Sequence, residues 1–428
     1  MNQIDAVWAE YISILQAELI PATGCTEPIA IAYAAAKARA VLGALPEMAT
    51  VEASGNIIKN VKSVVVPNTD HLRGIEAATA AGLVAGDADA ELQVISKVTK
   101  EQQNKIHSYM QVTPIDVAPA KGDKVFFISV IAKNGPDTAQ VTIEDYHTNI
   151  TCIKKNGVVL FEKQEEQENN GEPNLHYEWL SVEKIIDFAN RVDLSLVDEV
   201  LLRQIEYNTA ISEEGLKNNW GARIGQTLLK AQGNDVRVRA KAAAAAGSDA
   251  RMSGCEMPVV IVSGSGNQGM TASLPVIEYA KELHVSQDKL LRALLVSDLI
   301  TIHQKTSIGR LSAFCGAVSA GCGAATGIAY LKGESDQVIK HTIVNTLAIL
   351  SGMVCDGAKP SCAGKIAIAV EAGLLGYEMF AHGQNQFLSG EGIVKKGVDN
   401  TIATVGRMAR EGMRDTDREI LEIMTEKC

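Results

Sequence analysis

The chain has 428 residues, of which 46% are hydrophobic and 4% aromatic, so it is long enough for two or three domains around a large core. A net charge of −11 without any basic tract argues against a nucleic-acid partner. Eight cysteines that lack disulfide-framework spacing predict reduced thiols in a cytoplasmic protein, and we expect no signal peptide because the N-terminus is polar.

Residues 1–45 are predicted to form two helices with a cysteine between them. Apolar residues recur at helical spacing over residues 4–20, and Pro21 ends that helix. The loop that follows leads into an Ala-rich helix over Ile29–Leu42. Cys25 lies just before this second helix, whose dipole is expected to lower the pKa of the thiol.

Residues 46–170 are predicted to form a mixed α/β domain. Asn-Gly pairs at 134–135 and 156–157 are strong hairpin turns between apolar runs. Residues 73–110 have a helical pattern, and the acidic stretch 164–174 is interpreted as an exposed loop or domain boundary. Strands are predicted in the Val-rich runs Val61–Val66, Lys124–Ile131 and Ala139–Ile143.

Residues 171–428 are predicted to be mainly helical. A short apolar run at Pro258–Ile261 predicts a strand that enters the Gly-rich loop Ser263–Gly269. The uncharged segment Leu311–Leu331 is long enough to span a bilayer, but its Ala, Gly and Ser content favours a buried central helix. The fold class is therefore α+β: a mostly helical C-terminal catalytic core, joined by the N-terminal helices, with an inserted mixed α/β domain. Helices are predicted at Leu274–Leu283, Gln287–His303, Gly309–Leu331, Asp336–Gly352, Ala363–Phe380 and from Thr401 onward.

Four cysteines in the last third of the chain form two pairs with the same spacing, Cys315 with Cys322 and Cys355 with Cys362. Soft thiolates select iron–sulfur clusters, zinc or Cu(I), and the Gly and Pro residues beside the second pair can turn the backbone around a bulky cofactor. On a single helix, Cys315 and Cys322 would face the same way. Core packing is the alternative for Cys322, and core packing or a disulfide is the alternative for Cys355 with Cys362. The short ligand spacing of a structural zinc site is absent from the sequence.

Several polar strings are candidates for holding a small carboxylate or amine. The loop Ser263–Gly269 matches no phosphate-binding fingerprint and is better interpreted as a nest of backbone N–H groups. Ser248–Arg251 is another polar string, for which an ion-paired turn is the alternative. His303 and Arg310 bracket the start of the predicted helix with Cys315 and are candidates to lie near a cluster, for which helix-end solvation is the alternative. A plain surface loop is the alternative for the others. The candidate substrate-binding side chains are Asn56, Lys59, Asn60, His147, Asn149, Asn267 and Gln268.

Four motifs occur in order along nearly the whole chain. They are Pro-Ala-Thr-Gly-Cys-Thr-Glu-Pro from Pro21, Ser-Gly-Ser-Gly-Asn-Gln-Gly from Ser263, Arg-Leu-Ser-Ala-Phe-Cys from Arg310, and Ser-Gly-Met-Val-Cys-Asp-Gly-Ala from Ser351, followed by Ser361 and Cys362. Together they resemble the iron–sulfur L-cysteine desulfidase family, which is related to the iron–sulfur-dependent L-serine dehydratases. The ordered set of motifs is far more specific than any one of them.

The resemblance implies a [4Fe–4S] cluster held by Cys315, Cys355 and Cys362, with Cys322 outside the ligand set and Cys25 as the catalytic residue. Three protein ligands rather than four leave one iron open as a Lewis acid. In related serine dehydratases a tail cysteine can cap that iron, which makes Cys428 a further candidate for contact with the cluster.

These features predict an L-cysteine desulfidase, which converts L-cysteine to sulfide, pyruvate and ammonia by α,β-elimination, with Cys25 as the candidate base. The alternatives are the same chemistry on L-serine, and a non-catalytic iron–sulfur or zinc protein that senses redox state. The expected partner is a small amino-acid substrate, with no nucleic acid and no membrane. A homo-oligomer stays open.

Overall fold

The structure is a computed structural model that describes residues 3–122, 124–163 and 175–425, and its architecture is α+β, as the sequence predicts. The predicted acidic loop at 164–174 and Cys428 lie outside the described residues. The α-helices of the described ranges are α1 (Gln3–Glu18), α2 (Thr26–Leu42), α3 (Gly55–Val61), α4 (Gly74–Ala85), α5 (Lys100–Val112), α6 (Val182–Arg191), α7 (Asp198–Lys217), α8 (Ile224–Gln232), α9 (Val236–Met252), α10 (Gly266–Leu283), α11 (Gln287–Ile308), α12 (Gly316–Leu331), α13 (Asp336–Ile349), α14 (Cys362–Gly383), α15 (Val398–Arg407) and α16 (Arg414–Thr425).

The strands of the described ranges form two sheets. They are β1 (Pro21–Thr23), β2 (Met48–Ala53), β3 (Ile115–Pro119), β4 (Phe127–Asn134), β5 (Asp137–Glu144), β6 (Ile150–Lys155), β7 (Val158–Glu162) and β8 (Pro258–Val260). Six of them form one mixed sheet in the order β3–β2–β4–β5–β6–β7, in which only β2 and β3 run parallel. Helix α2 packs on β4 and β5. The short strands β1 and β8 pair antiparallel, which joins the segment before α2 to the helical region.

Both predicted hairpins are present in the sheet. Asn156 and Gly157 form the two-residue turn between β6 and β7, with φ of +51° and +80°, a conformation that these two residue types tolerate best. In the other hairpin Asn134 still belongs to β4, so Gly135 and Pro136 form the turn, one residue later than predicted. Strands β4 and β5 occupy the two predicted strand runs on either side of this turn.

The predicted strand over Val61–Val66 is wrong. Its first residue ends α3, and Val64 and Val66 are fully buried in the turn that follows. Val65 makes only an isolated bridge with Arg73. A short apolar run reports burial and does not by itself distinguish a strand from a buried turn. Strands β2 and β3 are not predicted from the sequence, because neither lies in a Val-rich run.

Helix α12 is the buried centre of the helical region, which confirms the prediction of a buried central helix. It packs against α14 at backbone distance, because a Cβ on Gly321 would lie 2.6 Å from the backbone of Ala369 and one on Gly373 would lie 2.5 Å from the Gly321 carbonyl oxygen. Small residues are therefore required at this crossing. In the described part of the chain, no helix is both long enough and apolar enough to cross a membrane.

Two hydrophobic clusters meet at the cysteines. One joins α2, α4 and the six-stranded sheet and includes Cys25 and Cys315. The other fills the helical region and includes Phe314 and Cys322. Because the adjacent residues Phe314 and Cys315 belong to different clusters, the loop before α12 lies on the boundary between them. The domain divisions at 45 and 170 stay predictions.

Candidate active site

Cys25 is held at the N-terminus of α2 by a short strand and a tight turn. Gly24 adopts φ +70°, and Cys25 then caps α2, which begins at Thr26, earlier than predicted. A Cβ on Gly24 would lie 2.7 Å from the Pro67 ring, so both the conformation and the space require glycine. The structure therefore places Cys25 directly before a helix, where the sequence predicts it.

Burial, rather than the helix dipole, dominates the acidity of the Cys25 thiol. The side chain is 1% exposed, and burial raises its pKa to about 12, against the opposing effect of the nearby Arg251 cation. The Cys25 Sγ lies 3.8 Å from the Met252 sulfur, and Arg251 Nε donates to the Gly24 carbonyl at 3.0 Å. The prediction that the dipole lowers this pKa is wrong. The free-energy cost of removing a thiolate from water exceeds the stabilisation that the helix dipole provides.

Cys315 and Cys355 lie on two loops that pair through their backbones. The Cys315 N–H donates to the Met353 carbonyl at 3.0 Å, and the Cys355 N–H donates to the Ala313 carbonyl at 2.6 Å. A hydrogen bond between the two sulfurs lowers the pKa of Cys355 to about 6 and raises the pKa of Cys315, and the Lys59 ammonium adds to the first effect. Cys355 can therefore supply a thiolate near neutral pH.

The start of α12 differs from the predicted helix Gly309–Leu331. The helix begins at Gly316, and Cys315 is its N-cap residue. Cys322 lies inside α12, is fully buried and contacts the Gln304 amide. The expectation that Cys315 and Cys322 share one helix face is therefore wrong, and Cys322 packs in the helical core.

Cys362 is the first residue of α14. The sequence instead suggests that it lies in the loop before this helix. Its Sγ lies 3.8 Å from the Gly357 carbonyl oxygen, and Gly357 turns the loop with φ +95°. The Asp356 carboxylate accepts hydrogen bonds from Lys359 and Lys365, the second of which belongs to α14. Ion pairs and a glycine turn thus close this loop.

Four cysteines, Cys25, Cys315, Cys355 and Cys362, line one cavity of about 100 Å³, called here the thiol cavity. They come from the N-cap of α2, the loop before α12, the loop before α14 and the first residue of α14. Charged and amide groups of both signs surround them. These side chains are Glu27, Asn60, Arg251, Asn267, Gln268, Lys305 and Arg310.

The thiols of the cavity have the donor chemistry of iron–sulfur ligands. Across the described ranges, no three His, Cys, Asp or Glu side chains converge on a point where one metal ion could bind. An iron–sulfur cluster is held by several cysteine thiolates, and its irons are separate atoms, so its ligands need not converge. Thiolates are also the soft donors that such clusters select. Cys315, Cys355 and Cys362 therefore fit the ligand role.

Three of the predicted substrate-binding residues, Asn60, Asn267 and Gln268, line the thiol cavity. Asn60 Nδ2 donates to Glu27 Oε1 at 3.0 Å, and Asn267 Oδ1 accepts from Arg251 Nη1 at 3.3 Å. Asn60 Oδ1 and Gln268 Oε1 are buried and have no hydrogen-bond partner among the residues that the structure describes. A buried acceptor left unpaired costs about 1–3 kcal/mol, which a ligand with N–H donors would recover.

The Gly-rich loop is shorter than predicted and ends in a helix. Ser263 and Gly264 have φ of +49° and +78°, and α10 begins at Gly266. Asn267 and Gln268 therefore lie in its first turn, where the backbone N–H groups and the helix dipole favour an anionic group.

The other four predicted substrate-binding residues have different surroundings. The Lys59 ammonium lies 2.5 Å from the Asp417 carboxylate, and the Asn149 amide donates to the backbone carbonyl at the end of β5 at 2.9 Å. His147 lines a neighbouring cavity of about 510 Å³, and burial lowers its pKa to about 3. Asn56 Oδ1 is buried without a protein partner but does not line the thiol cavity.

Sequence reasoning overlooks two charged residues of the cavity, Glu27 and Lys305. Glu27 stands two residues after Cys25, and an acidic residue in the first turn of α2 is the only sequence signal for it. Lys305 lies in α11 and is 4% exposed, and burial lowers its pKa to about 8. Nothing in its sequence neighbourhood distinguishes Lys305 from a surface lysine.

Arg310 connects the two cavities, because its side chain lines both. Arg310 Nη2 lies 3.0 Å from Glu18 Oε1, and Glu18 is 4% exposed. The cation of this ion pair therefore belongs to the lining of both the larger cavity and the thiol cavity.

Comparison with known proteins finds relatives along nearly the whole chain. Residues 89–422 match the family described as serine dehydratase alpha chain. A UPF0597 protein of Desulfitobacterium hafniense is 56% identical, over 100% of this chain and 99% of its own length. UPF0597 proteins of Lachnoclostridium phytofermentans and Treponema denticola are 53% and 45% identical, over 98% and 97% of this chain and 100% and 97% of their own. These matches confirm the relationship predicted from the four motifs.

Proposed function

Because the chain belongs to the serine dehydratase alpha-chain family, we propose that it is an iron–sulfur-dependent lyase and, more narrowly, an L-cysteine desulfidase. The reaction consumes L-cysteine and water and yields sulfide, pyruvate and ammonia. The observation that carries the proposal is the placement of Cys25 and the three candidate ligand thiols, Cys315, Cys355 and Cys362, around one cavity that also holds charged groups of both signs.

Three thiols of the cavity are the candidate ligands that would hold the cofactor. Cys315, Cys355 and Cys362 would bind a [4Fe–4S] cluster, and the lowered pKa of Cys355 favours its binding as thiolate. Bound through three thiolates, such a cluster supplies one iron without a protein ligand, a Lewis acid for the substrate's leaving group.

The remaining side chains of the cavity complement an amino acid. Arg251 and Arg310 are cations for its carboxylate, and Arg251 is itself 3% exposed, so its attraction is weakly screened. Glu27 and the unpaired oxygens Asn60 Oδ1 and Gln268 Oε1 are acceptors for its ammonium group. Cations and acceptors that line the same cavity would bind the two charged ends of the amino acid and so orient it.

Elimination requires a base for the Cα proton, and we assign that role to Cys25. The electron pair of the broken C–H bond forms the Cα–Cβ double bond as sulfide leaves from Cβ, and the enamine product then tautomerises and hydrolyses. Arg251 lies beside Cys25 and opposes the rise in its pKa, so it supports the thiolate that must accept the proton. Lys305, with a pKa of about 8, is the competing candidate.

L-Serine is the second substrate candidate, because the family to which the chain belongs is that of the serine dehydratase alpha chain. A substrate thiolate is the softer donor, which favours L-cysteine at an iron site. Protein purified under argon should contain about four irons per chain, the stoichiometry of a cubane cluster, and should release sulfide from L-cysteine without added pyridoxal phosphate. Zinc in place of iron, or iron without turnover of either amino acid, would refute the proposal and favour a non-catalytic metal protein.

A further inference from the structure

We propose that Asp417, on the C-terminal helix α16, is a positioning residue for the thiols of Cys315 and Cys355. Its Oδ1 lies 2.5 Å from Lys59 Nζ, and its Oδ2 accepts the Ala313 N–H at 3.0 Å. One carboxylate is therefore bound to α3 and to the loop before α12 at the same time. Asp417 does not line the thiol cavity, so it acts through these two partners and not on substrate.

The backbone of Ala313 carries the contact to both thiol loops. Its N–H donates to Asp417, while its carbonyl accepts the Cys355 N–H at 2.6 Å. Two residues further along, the Cys315 N–H donates to the opposite loop at 3.0 Å. Holding the backbone of this one residue therefore supports the pairing of the two loops, and with it the relative placement of their sulfurs.

Lys59 connects the Asp417 carboxylate to the loop that carries Cys355. Its side chain is 2% exposed, so its charge needs a close counter-ion, and the Asp417 carboxylate is in contact with it. Gly357, in the loop, packs so closely on this lysine that a Cβ there would lie 2.4 Å from the Lys59 carbonyl oxygen. Loss of the Asp417 carboxylate would leave a buried cation without this partner directly beside the loop.

Helix α16 is anchored independently of Asp417. Leu421 packs against the first residue of α3, and the Lys62 ammonium donates to the Met424 carbonyl. The segment just before α16 is held as well, because Ser312 Oγ, in the loop before α12, donates to the Ala409 carbonyl at 3.2 Å. Removal of the Asp417 carboxylate is therefore expected to loosen the thiol loops without detaching the helix.

The test compares Asp417→Ala with the matched control Asp415→Ala, in which the lost carboxylate is 86% exposed on the same helix. In metal-free protein, the alkylation rate of each cysteine is measured by mass spectrometry. Hydrogen bonds to charged groups are among the stronger ones, so we expect roughly tenfold faster alkylation at Cys315 and Cys355 in Asp417→Ala only. The rates at Cys25 and Cys322 should not change.

Unchanged alkylation rates, or an equal rise at Cys25, Cys315, Cys322 and Cys355, would overturn the inference. Circular dichroism establishes that each variant is folded. If Asp417→Ala is not folded, Asp417→Asn replaces it, since it keeps an acceptor oxygen for Ala313 and should give a smaller rise confined to the same two thiols.

A second readout rests on the proposed function. Loss of a residue that orients metal ligands typically costs 10–100-fold in affinity, so iron should leave Asp417→Ala for a chelator at least about tenfold faster than it leaves wild type. Equal rates would count against the inference. If wild type itself binds no iron, the proposed function fails, and the alkylation experiment still decides the role of Asp417.

Discussion

Replacing Cys25 by serine tests which group removes the Cα proton. The cluster should be retained, because Cys25 lies outside the proposed ligand set. Turnover should fall by about 10²–10⁴, the usual cost of losing a general base, since the serine hydroxyl ionises far less readily than a thiol. The residual rate would reflect substrate orientation by Arg251 and Arg310.

The structure sets the pH dependence that accompanies this loss. Burial raises the pKa of Cys25 from 9.0 to about 12, so the thiolate is roughly a thousandfold scarcer than that of an ordinary cysteine. A base of this pKa predicts that kcat/KM rises about tenfold per pH unit without a plateau below about pH 9. Lys305, whose burial lowers its pKa to about 8, would instead give a plateau above that pH.

The assay is sulfide release from L-cysteine under argon, followed from about pH 6 to about pH 9, with iron content measured for each variant. Cys25→Ser and Lys305→Met are compared with Cys152→Ser, which removes a thiol on β6 that does not line the cavity. Full activity in Cys25→Ser with normal iron would refute the assignment. A plateau near pH 8 that survives in Cys25→Ser and vanishes in Lys305→Met would give the role to Lys305.

Three further predictions concern the ligands, the substrate and stability. Alanine in place of Cys315, Cys355 or Cys362 should abolish iron binding, whereas Cys322→Ala should keep it, and bleaching of Cys322→Ala alone would contradict the ligand set. The kcat/KM for L-cysteine should exceed that for L-serine, and the reverse order would make the protein a serine dehydratase. Burial raises the pKa of Asp298 from 3.8 to about 7, so the folded state binds this proton more tightly and stability is lost as pH rises between these values. Asp298→Asn should therefore melt higher than wild type at pH 8, an advantage that disappears near pH 4, and equal melting temperatures at both would refute this.

Local chemistry made part of the fold predictable. The Asn156-Gly157 turn requires left-handed φ at both positions, and few other residue pairs accept it. The buried helix α12 follows from a long run of small uncharged residues. Its start does not follow, because nothing between Gly309 and Cys315 breaks a helical pattern. The backbone pairing of Phe314 with Val354 holds that stretch as a loop, and this partner is forty residues away.

The same division applies to the site. The residue type alone makes a cysteine a candidate metal ligand or base, so the thiols that line the cavity could be proposed from the sequence. The residue type does not reveal the role of a lysine or an arginine, because that role depends on whether residues distant in the sequence bury it. Lys305 becomes a candidate base only because α11 packs beside the thiol loops. Lys59, which the sequence places among the candidate substrate-binding residues, instead pairs with Asp417 from the far end of the chain. Tertiary contacts thus decide which cations face the substrate and which hold the ligands in place. In the proposed mechanism the first group binds the amino acid, and the second positions the cysteines that would hold the cluster.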